Sequence, residues 1–180
     1  SGAQTGTLFI DDNVIDLGTE GAPRSLTSGI VLSAISGPCR IAGNSVLGAV
    51  SAIAVNGQIT ENLQPSASDV IVAKNIIACR AAPTSGDNLT VFGIDLAAHS
   101  SIVSQNLLRM PGASSVHAGI RVTGDNIDVI DNQVASDSKR EDSVFIGIQI
   151  GDRGALTGDI RVAGNFVDSG RAGIVASTVT

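Results

Sequence analysis

One arrangement of apolar and polar positions recurs six times along this chain: an apolar residue, two variable residues, an asparagine, one variable residue and a second apolar residue. The asparagines of the six copies are Asn13, Asn44, Asn75, Asn106, Asn132 and Asn165. Successive copies lie 31, 31, 31, 26 and 33 residues apart. Repetition at this period is typical of a structure in which one unit is stacked on itself.

Apolar residues also fall at fixed distances from each repeat asparagine. They occupy the positions five and three residues before it and two residues after it, with Cys39 and Ser101 as the departures. The two-residue spacing before the asparagine is the period of a β-strand with one buried face. Each repeat is therefore predicted to contain one strand that ends in an asparagine turn.

A second pattern alternates with the first. It begins with a small residue followed by Ile, a variable residue and usually another apolar residue, and its copies start at Gly29, Ala52, Gly93, Gly119, Gly147 and Gly173. This pattern predicts a second inward-facing strand in each repeat. Between the two patterns no helical 3.6-residue periodicity of useful length occurs.

Two or three short strands in every repeat bury their apolar columns when the chain winds as a coil and equivalent strands of successive repeats pair in parallel. The prediction is an all-β fold, a parallel β-helix of about six rungs with little or no helix, forming one domain over residues 1–180. Leucine-rich repeats are the main rival, but their leucine consensus is replaced here by Ile and Val. Gly173-Ile174-Val175 begins a further strand close to the last residue, so we expect the chain to be part of a longer protein.

The repeat asparagines follow from the same geometry. An asparagine at a turn tolerates left-handed backbone angles, and stacked copies can hydrogen-bond to one another along the coil. We therefore interpret the six repeat asparagines as a structural ladder and not as catalytic residues.

The alternation of Gly-Ile-x-Val with Ile-x-x-Asn-x-Ile resembles the right-handed parallel β-helix repeat of the pectate-lyase-like superfamily over nearly the whole chain. The resemblance implies a right-handed coil and favours an extracellular or cell-surface location. Proteins with this fold include polysaccharide lyases, glycoside hydrolases, epimerases, phage tailspikes and surface proteins. The fold alone therefore assigns no reaction.

Composition narrows the classes of partner. A formal charge of -6 argues against nucleic acid, whose binding needs a basic face. No stretch approaches the 18 or so apolar residues of a membrane-spanning helix. With four Phe and no Tyr or Trp, an aromatic platform for a long oligosaccharide is disfavoured. Cys39 and Cys79 lie at different distances from their repeat asparagines, so we predict two buried or half-buried thiols and no disulfide.

Candidate catalytic residues are few. Asp95 and Arg121 occupy the same outward position in consecutive repeats, which predicts a surface ion pair, with a catalytic aspartate and its arginine partner as the alternative. Asp11 and Asp12 resemble the paired aspartates of polygalacturonase-type hydrolases, but the Asn-Thr-Asp, Gly-His-Gly and Arg-Ile-Lys signatures of that family are absent. The calcium-binding nonapeptide of β-rolls is absent too, and the two histidines stand singly, so neither a metal nor another cofactor is predicted.

Three functional hypotheses stay open. The first is a non-catalytic structural or binding module of a larger bacterial or phage-like surface or secreted protein. The second is a fragment of a polysaccharide lyase or glycoside hydrolase acting on acidic or complex polysaccharide. The third is a scaffold that associates end to end or as a trimer. Val14, Ile76, Leu107 and Phe166, which directly follow repeat asparagines, form a stripe that we expect to be core or covered by loops; if exposed, it would favour association with a protein.

Overall fold

The structure is a computed structural model that describes residues 6–18, 27–56, 65–80, 91–111, 117–137, 145–151, 158–168 and 172–177. Every strand in these ranges belongs to one of three parallel six-stranded sheets, and each sheet takes every third strand of the chain. The chain therefore forms the predicted right-handed parallel β-helix of six rungs. Within the described ranges, no helix has the length and apolarity needed to cross a bilayer.

Sheet A contains the first strand of each rung: β1 (Leu8–Asp11), β4 (Cys39–Ala42), β7 (Val70–Ala73), β10 (Ser101–Ser104), β13 (Asp125–Ile130) and β16 (Gly158–Ala163). Sheet B contains β2 (Val14–Asp16), β5 (Ser45–Ala49), β8 (Ile76–Cys79), β11 (Leu107–Met110), β14 (Gln133–Ser136) and β17 (Phe166–Asp168). Sheet C contains β3 (Ser28–Ser33), β6 (Ser51–Asn56), β9 (Val91–Ala97), β12 (His117–Thr123), β15 (Phe145–Ile150) and β18 (Ala172–Ala176).

The strands of sheets A and C are those predicted from the two sequence patterns. The sheet B strands are the third strand of each rung, which the sequence analysis allowed but did not assign to particular residues. Each begins directly after the repeat asparagine and is only three to five residues long. Its inward residue is the apolar residue two positions after the asparagine, such as Ile77 or Leu108, which are 1% and 0% exposed. The sequence therefore contained this signal, but one or two inward residues, such as Leu108 and Met110, are too few to establish a strand by periodicity.

The core is a set of stacked apolar columns inside the coil. In sheet A, Ile10, Ile41 and Val72 align in successive rungs, and Val103, Val129 and Val162 continue the column. In sheet C, Ile53, Ile94, Ile120 and Ile148 align in the same way and are fully buried. Ser101 is the polar member of an inward column, and its hydroxyl donates to the His99 carbonyl at 2.7 Å and accepts from the Val70 N–H at 3.1 Å.

The small residue before each sheet C isoleucine is explained by close approach. A Cβ built on Gly119 would lie 2.8 Å from the carbonyl oxygen of Gly147 in the next rung and would collide with Cγ1 of Val134. The strand thus passes the inward column of sheet B without room for a side chain. Because Ala52 fills the equivalent position in the second rung at 0% exposure, the restriction is on size and not on backbone angle.

Candidate functional site

The corner between sheets A and B holds the predicted asparagine ladder. The Oδ1 atom of Asn75 accepts from both the backbone N–H and the Nδ2 of Asn44, each at 3.0 Å, and Asn75 donates in the same way to Asn106. The second Nδ2 hydrogen of Asn75 goes to the carbonyl of Ile41 at 3.0 Å. The pattern runs from Asn13 to Asn165 without interruption.

The four central asparagines, Asn44, Asn75, Asn106 and Asn132, are at most 1% exposed. A buried amide is tolerated when its donors and acceptor are all satisfied, and the ladder satisfies them. The repeat asparagines do not adopt the left-handed angles that this residue type tolerates. The preceding residue does so in every rung, with φ between 55° and 69° at Asp12, Gly43, Lys74, Gln105, Asp131 and Gly164. The asparagine keeps ordinary angles, which leaves its amide pointing along the coil.

The outer face of sheet C carries an ion pair with an aromatic neighbour. Asp95 and Arg121 are aligned in adjacent strands, as predicted. Arg121 Nε lies 2.8 Å from Asp95 Oδ1 and Nη2 lies 2.6 Å from Oδ2, a bidentate arrangement. The guanidinium carbon also stacks 3.9 Å from the centroid of the Phe92 ring. This geometry gives the guanidinium two charge-assisted hydrogen bonds and a cation–π contact.

The prediction that this is a surface pair is wrong. The Asp95 side chain is 11% exposed and that of Arg121 20%, while Phe92 is 9% exposed. Strand alternation gave the correct outward direction for Asp95. It did not give the packing of Asp95, Arg121 and Phe92 against one another, in which both charged side chains are mostly removed from solvent. Pairs of this kind have to be bidentate to offset the cost of removing them from water.

Two-carboxylate chemistry requires a second acidic group near Asp95. The positions aligned with Asp95 on this wall are Val31, Ala54, Arg121, Gln149 and Val175, so this column contains one carboxylate. A glycosidase needs two carboxyl groups about 5 to 9.5 Å apart. The described strands of sheet C do not bring a second acid into this column. A catalytic role for Asp95 and Arg121 stays a prediction.

Asp11 and Asp12 lie in the first rung, at the end of sheet A. Asp11 Oδ1 accepts from the backbone N–H of Ala42 at 3.1 Å, and its Oδ2 lies 3.6 Å from Nη1 of Arg40. Asp12 is the left-handed residue of the turn, and its carboxylate lies over Gly43, where a side chain would collide with it. These contacts give both residues a structural role in the first turn. Their catalytic role also stays a prediction.

The outer face of sheet B carries the apolar stripe, defined here as Val14, Ile76, Leu107 and Phe166. In register, the column reads Val14, Ser45, Ile76, Leu107, Gln133 and Phe166 from the first rung to the sixth. The four apolar members are 77%, 53%, 47% and 63% exposed. The expectation that they are core or loop-covered is therefore wrong. In each sheet B strand, the stripe residue points outward and the next residue points inward and packs in the core.

The cysteines and the remaining titratable groups offer no alternative centre in the described part of the chain. Both thiols are free, as predicted. Burial and the nearby Asp11 charge raise the pKa of Cys39, and burial raises the pKa of Cys79 to about 12. A thiol held protonated in this way is a poor nucleophile. Among the described residues, no group of three or more His, Cys, Asp or Glu side chains is arranged to hold a metal ion.

Comparison with known protein families, curated proteins and solved structures finds no match to this chain. The assignment of a parallel β-helix therefore depends on the repeat and on the three sheets themselves. The outer walls of the coil differ in chemistry. Sheet C carries the mostly buried pair of Asp95 and Arg121, and sheet B carries the exposed apolar stripe. Sheet A carries an outward column of apolar and charged residues that begins at Phe9 and ends at Arg161.

Proposed function

We propose that this chain is a non-catalytic structural or binding module of a larger surface or secreted protein, built on a β-helix of the pectate-lyase-like type. The observation that carries the proposal is the apolar stripe of sheet B. Four large apolar side chains, each close to or above half exposed, follow the length of one wall. Ser45 and Gln133 lie between members of the stripe, and exposed large apolar side chains grouped on one wall favour a site that binds another protein.

The chemistry of the other walls supports the same proposal. On sheet C, both oxygens of Asp95 accept from one guanidinium, and its column holds no second acid to share a glycosidic bond. On sheet A, both oxygens of Asp11 are engaged by groups of the second rung. The rigid ladder and core then supply a scaffold whose function is to present side chains at fixed spacing.

Polysaccharide cleavage is the alternative, and it is tested directly. The wild-type chain is incubated with acidic polymers such as polygalacturonate and alginate and with a neutral glucan. New reducing ends and the ultraviolet absorbance of unsaturated uronides are then measured. We expect no product above the level of a heat-denatured sample. The same assays are run on Asp95→Asn, Asp11→Asn and Asp12→Asn.

Cleavage by the wild type that is lost in Asp95→Asn or in either of the first-rung variants, with the fold retained by circular dichroism, would overturn the proposal. It would identify the chain as part of a lyase or hydrolase. Cleavage that survives all three substitutions would overturn it as well and would place the catalytic groups elsewhere in the chain.

A further inference from the structure

The outer wall of sheet A carries a column of side chains whose chemistry complements that of the same column read in reverse order. From the first rung to the sixth it reads Phe9, Arg40, Ile71, Ile102, Asp128 and Arg161. The two central members are isoleucines, 39% and 37% exposed. Outside them lie an arginine on one side and an aspartate on the other. The ends are a phenylalanine, 61% exposed, and an arginine.

This order is self-complementary under one symmetry operation. A two-fold axis perpendicular to the coil, passing between the third and fourth rungs, places the second rung opposite the fifth rung of another copy. Arg40 then faces Asp128 of the second copy, and Ile71 faces Ile102, with each contact made twice. Phe9 faces Arg161, a pair suited to a cation–π contact. Such an interface, in which one patch meets itself, is the usual construction of a homodimer.

The parallel arrangement of two copies is disfavoured by the same residues. If the two-fold axis ran along the coil, every rung would face its own equivalent. Arg40 would then face Arg40, and Asp128 would face Asp128. Like charges in direct opposition weaken an interface and so select against that orientation. Charge thus distinguishes the antiparallel pairing from the parallel one.

The neighbouring outward column allows close approach. Its members are Asp11, Ala42, Ala73, Ser104, Ile130 and Ala163, four of which are Ala or Ser. In the antiparallel arrangement Asp11 faces Ala163, so this column also brings no like charges together. A wall of small residues beside the mixed column lets two sheets meet without large side chains holding them apart.

We propose that two copies of this chain associate antiparallel through the outer wall of sheet A. The inference rests on the proposed function in that it names one partner of the binding module, a second copy. The wall measures about 29 Å along the coil by about 13 Å along the strands. This is small for a protein interface, so the dimer is a weak one.

The test uses sedimentation velocity over a range of concentrations at low ionic strength. Its samples are the wild type, Arg40→Asp, Asp128→Arg, the double variant, and an equimolar mixture of the two single variants. We expect a concentration-dependent dimer for the wild type and about tenfold weaker association for each single variant. The double variant restores opposite charges at both contacts. The mixture restores them as well, because residue 40 of one variant then meets residue 128 of the other.

A wild type that stays monomeric up to about 1 mM would overturn the inference. Association that is indifferent to both reversals would overturn it too, as would loss in both single variants without rescue. Growth beyond the dimer would show end-to-end stacking instead. Melting curves check that each variant folds, because Arg40→Asp loses its contact with Asp11. If a charge reversal fails to fold, Arg40→Gln and Asp128→Asn replace the reversals as milder variants. None of these outcomes alters the cleavage assays, so the proposed function fails or survives separately.

Discussion

The asparagine ladder makes the sharpest stability prediction, through the substitution Asn75→Ala. Four hydrogen bonds depend on the Asn75 side chain: two that its Oδ1 accepts from Asn44 and two that its Nδ2 donates, to Ile41 and to Asn106. A buried hydrogen bond contributes about 1 kcal/mol net, so their loss costs about 4 kcal/mol of unfolding free energy. Asn75→Ala also leaves the backbone N–H of Asn44 buried without its acceptor, so we do not expect the loss of unfolding free energy to be smaller than this.

Asn13→Ala is the matched control. It removes the same type of side chain from the equivalent turn of the first rung. Asn13 is exposed, however, and its side chain makes two hydrogen bonds, to the carbonyl of Asp11 and to Asn44 Oδ1. Water replaces both, so we expect a loss below about 1 kcal/mol. A third variant, Asn75→Asp, keeps the shape and places an oxygen against the Ile41 carbonyl and Asn106 Oδ1. It should cost at least as much as Asn75→Ala at neutral pH.

Urea unfolding followed by far-ultraviolet circular dichroism measures all three variants against the wild type. Because a solenoid can unfold in segments, amide hydrogen exchange in the third rung is measured in parallel. Equal losses for Asn75→Ala and Asn13→Ala would refute the reasoning, since burial of the ladder would then contribute nothing. A neutral effect of Asn75→Asp would show that the volume of the side chain matters and its hydrogen bonds do not.

Three further substitutions test the walls and the core. Leu107→Lys should change the unfolding free energy by less than about 0.5 kcal/mol, whereas Leu108→Lys should prevent folding at ordinary temperature. Similar urea midpoints for the two variants would contradict the assignment of Leu107 to an exposed stripe. Asp95→Asn should cost about 2 kcal/mol because it removes the charge of the Asp95 carboxylate that Arg121 contacts in a bidentate pair, and a loss in urea unfolding well under 1 kcal/mol would mean that the pair behaves as a surface pair. Cys79 has a pKa raised to about 12 from 9.0, so the native thiol keeps its proton where the unfolded thiol loses it. Stability should therefore fall as the pH rises above about 9, and Cys79→Ala should show a shallower fall in midpoint between pH 8 and pH 10.

The fold was predictable because a stacked coil imposes its periodicity on the sequence. Each inward residue of one rung must contact an apolar residue of the next, so Ile41 and Val72 recur at a fixed distance from their asparagines. The sheet B strands could not be assigned to particular residues because of their length: a strand such as Val14–Asp16 shows a single inward residue. Such a strand is held by pairing with the strand of the neighbouring rung, here Ser45–Ala49, and an isolated stretch of sequence does not contain that partner.

The walls were less predictable, for a different physical reason. Alternation along a strand determines which side of the sheet a residue faces, and it did so correctly for both Asp95 and Leu107. Exposure depends in addition on which side chains of adjacent strands pack against the residue, and this tertiary property has no period in the sequence. Hence Asp95, counted as a whole residue, is 8% exposed and Leu107 is 47% exposed, although both side chains point away from the core. Asp95 is therefore a mostly buried charge, whereas Leu107 belongs to the exposed stripe on which the proposed binding role depends.

The turn beside the ladder shows why asparagine, and not glycine, is the residue that identifies this fold in the sequence. The left-handed position before it is filled by Asp12, Lys74, Gln105 and Asp131 in four rungs and by glycine in two. A non-glycine residue in that conformation costs about 1 to 2 kcal/mol. Counted once each, the ladder adds three hydrogen bonds per buried asparagine, about 3 kcal/mol, which exceeds the strain. The hydrogen bonds of the ladder can therefore stabilise the left-handed turn when residues as different as Asp, Lys and Gln occupy it. No other group in the turn makes the hydrogen bonds of the asparagine amide.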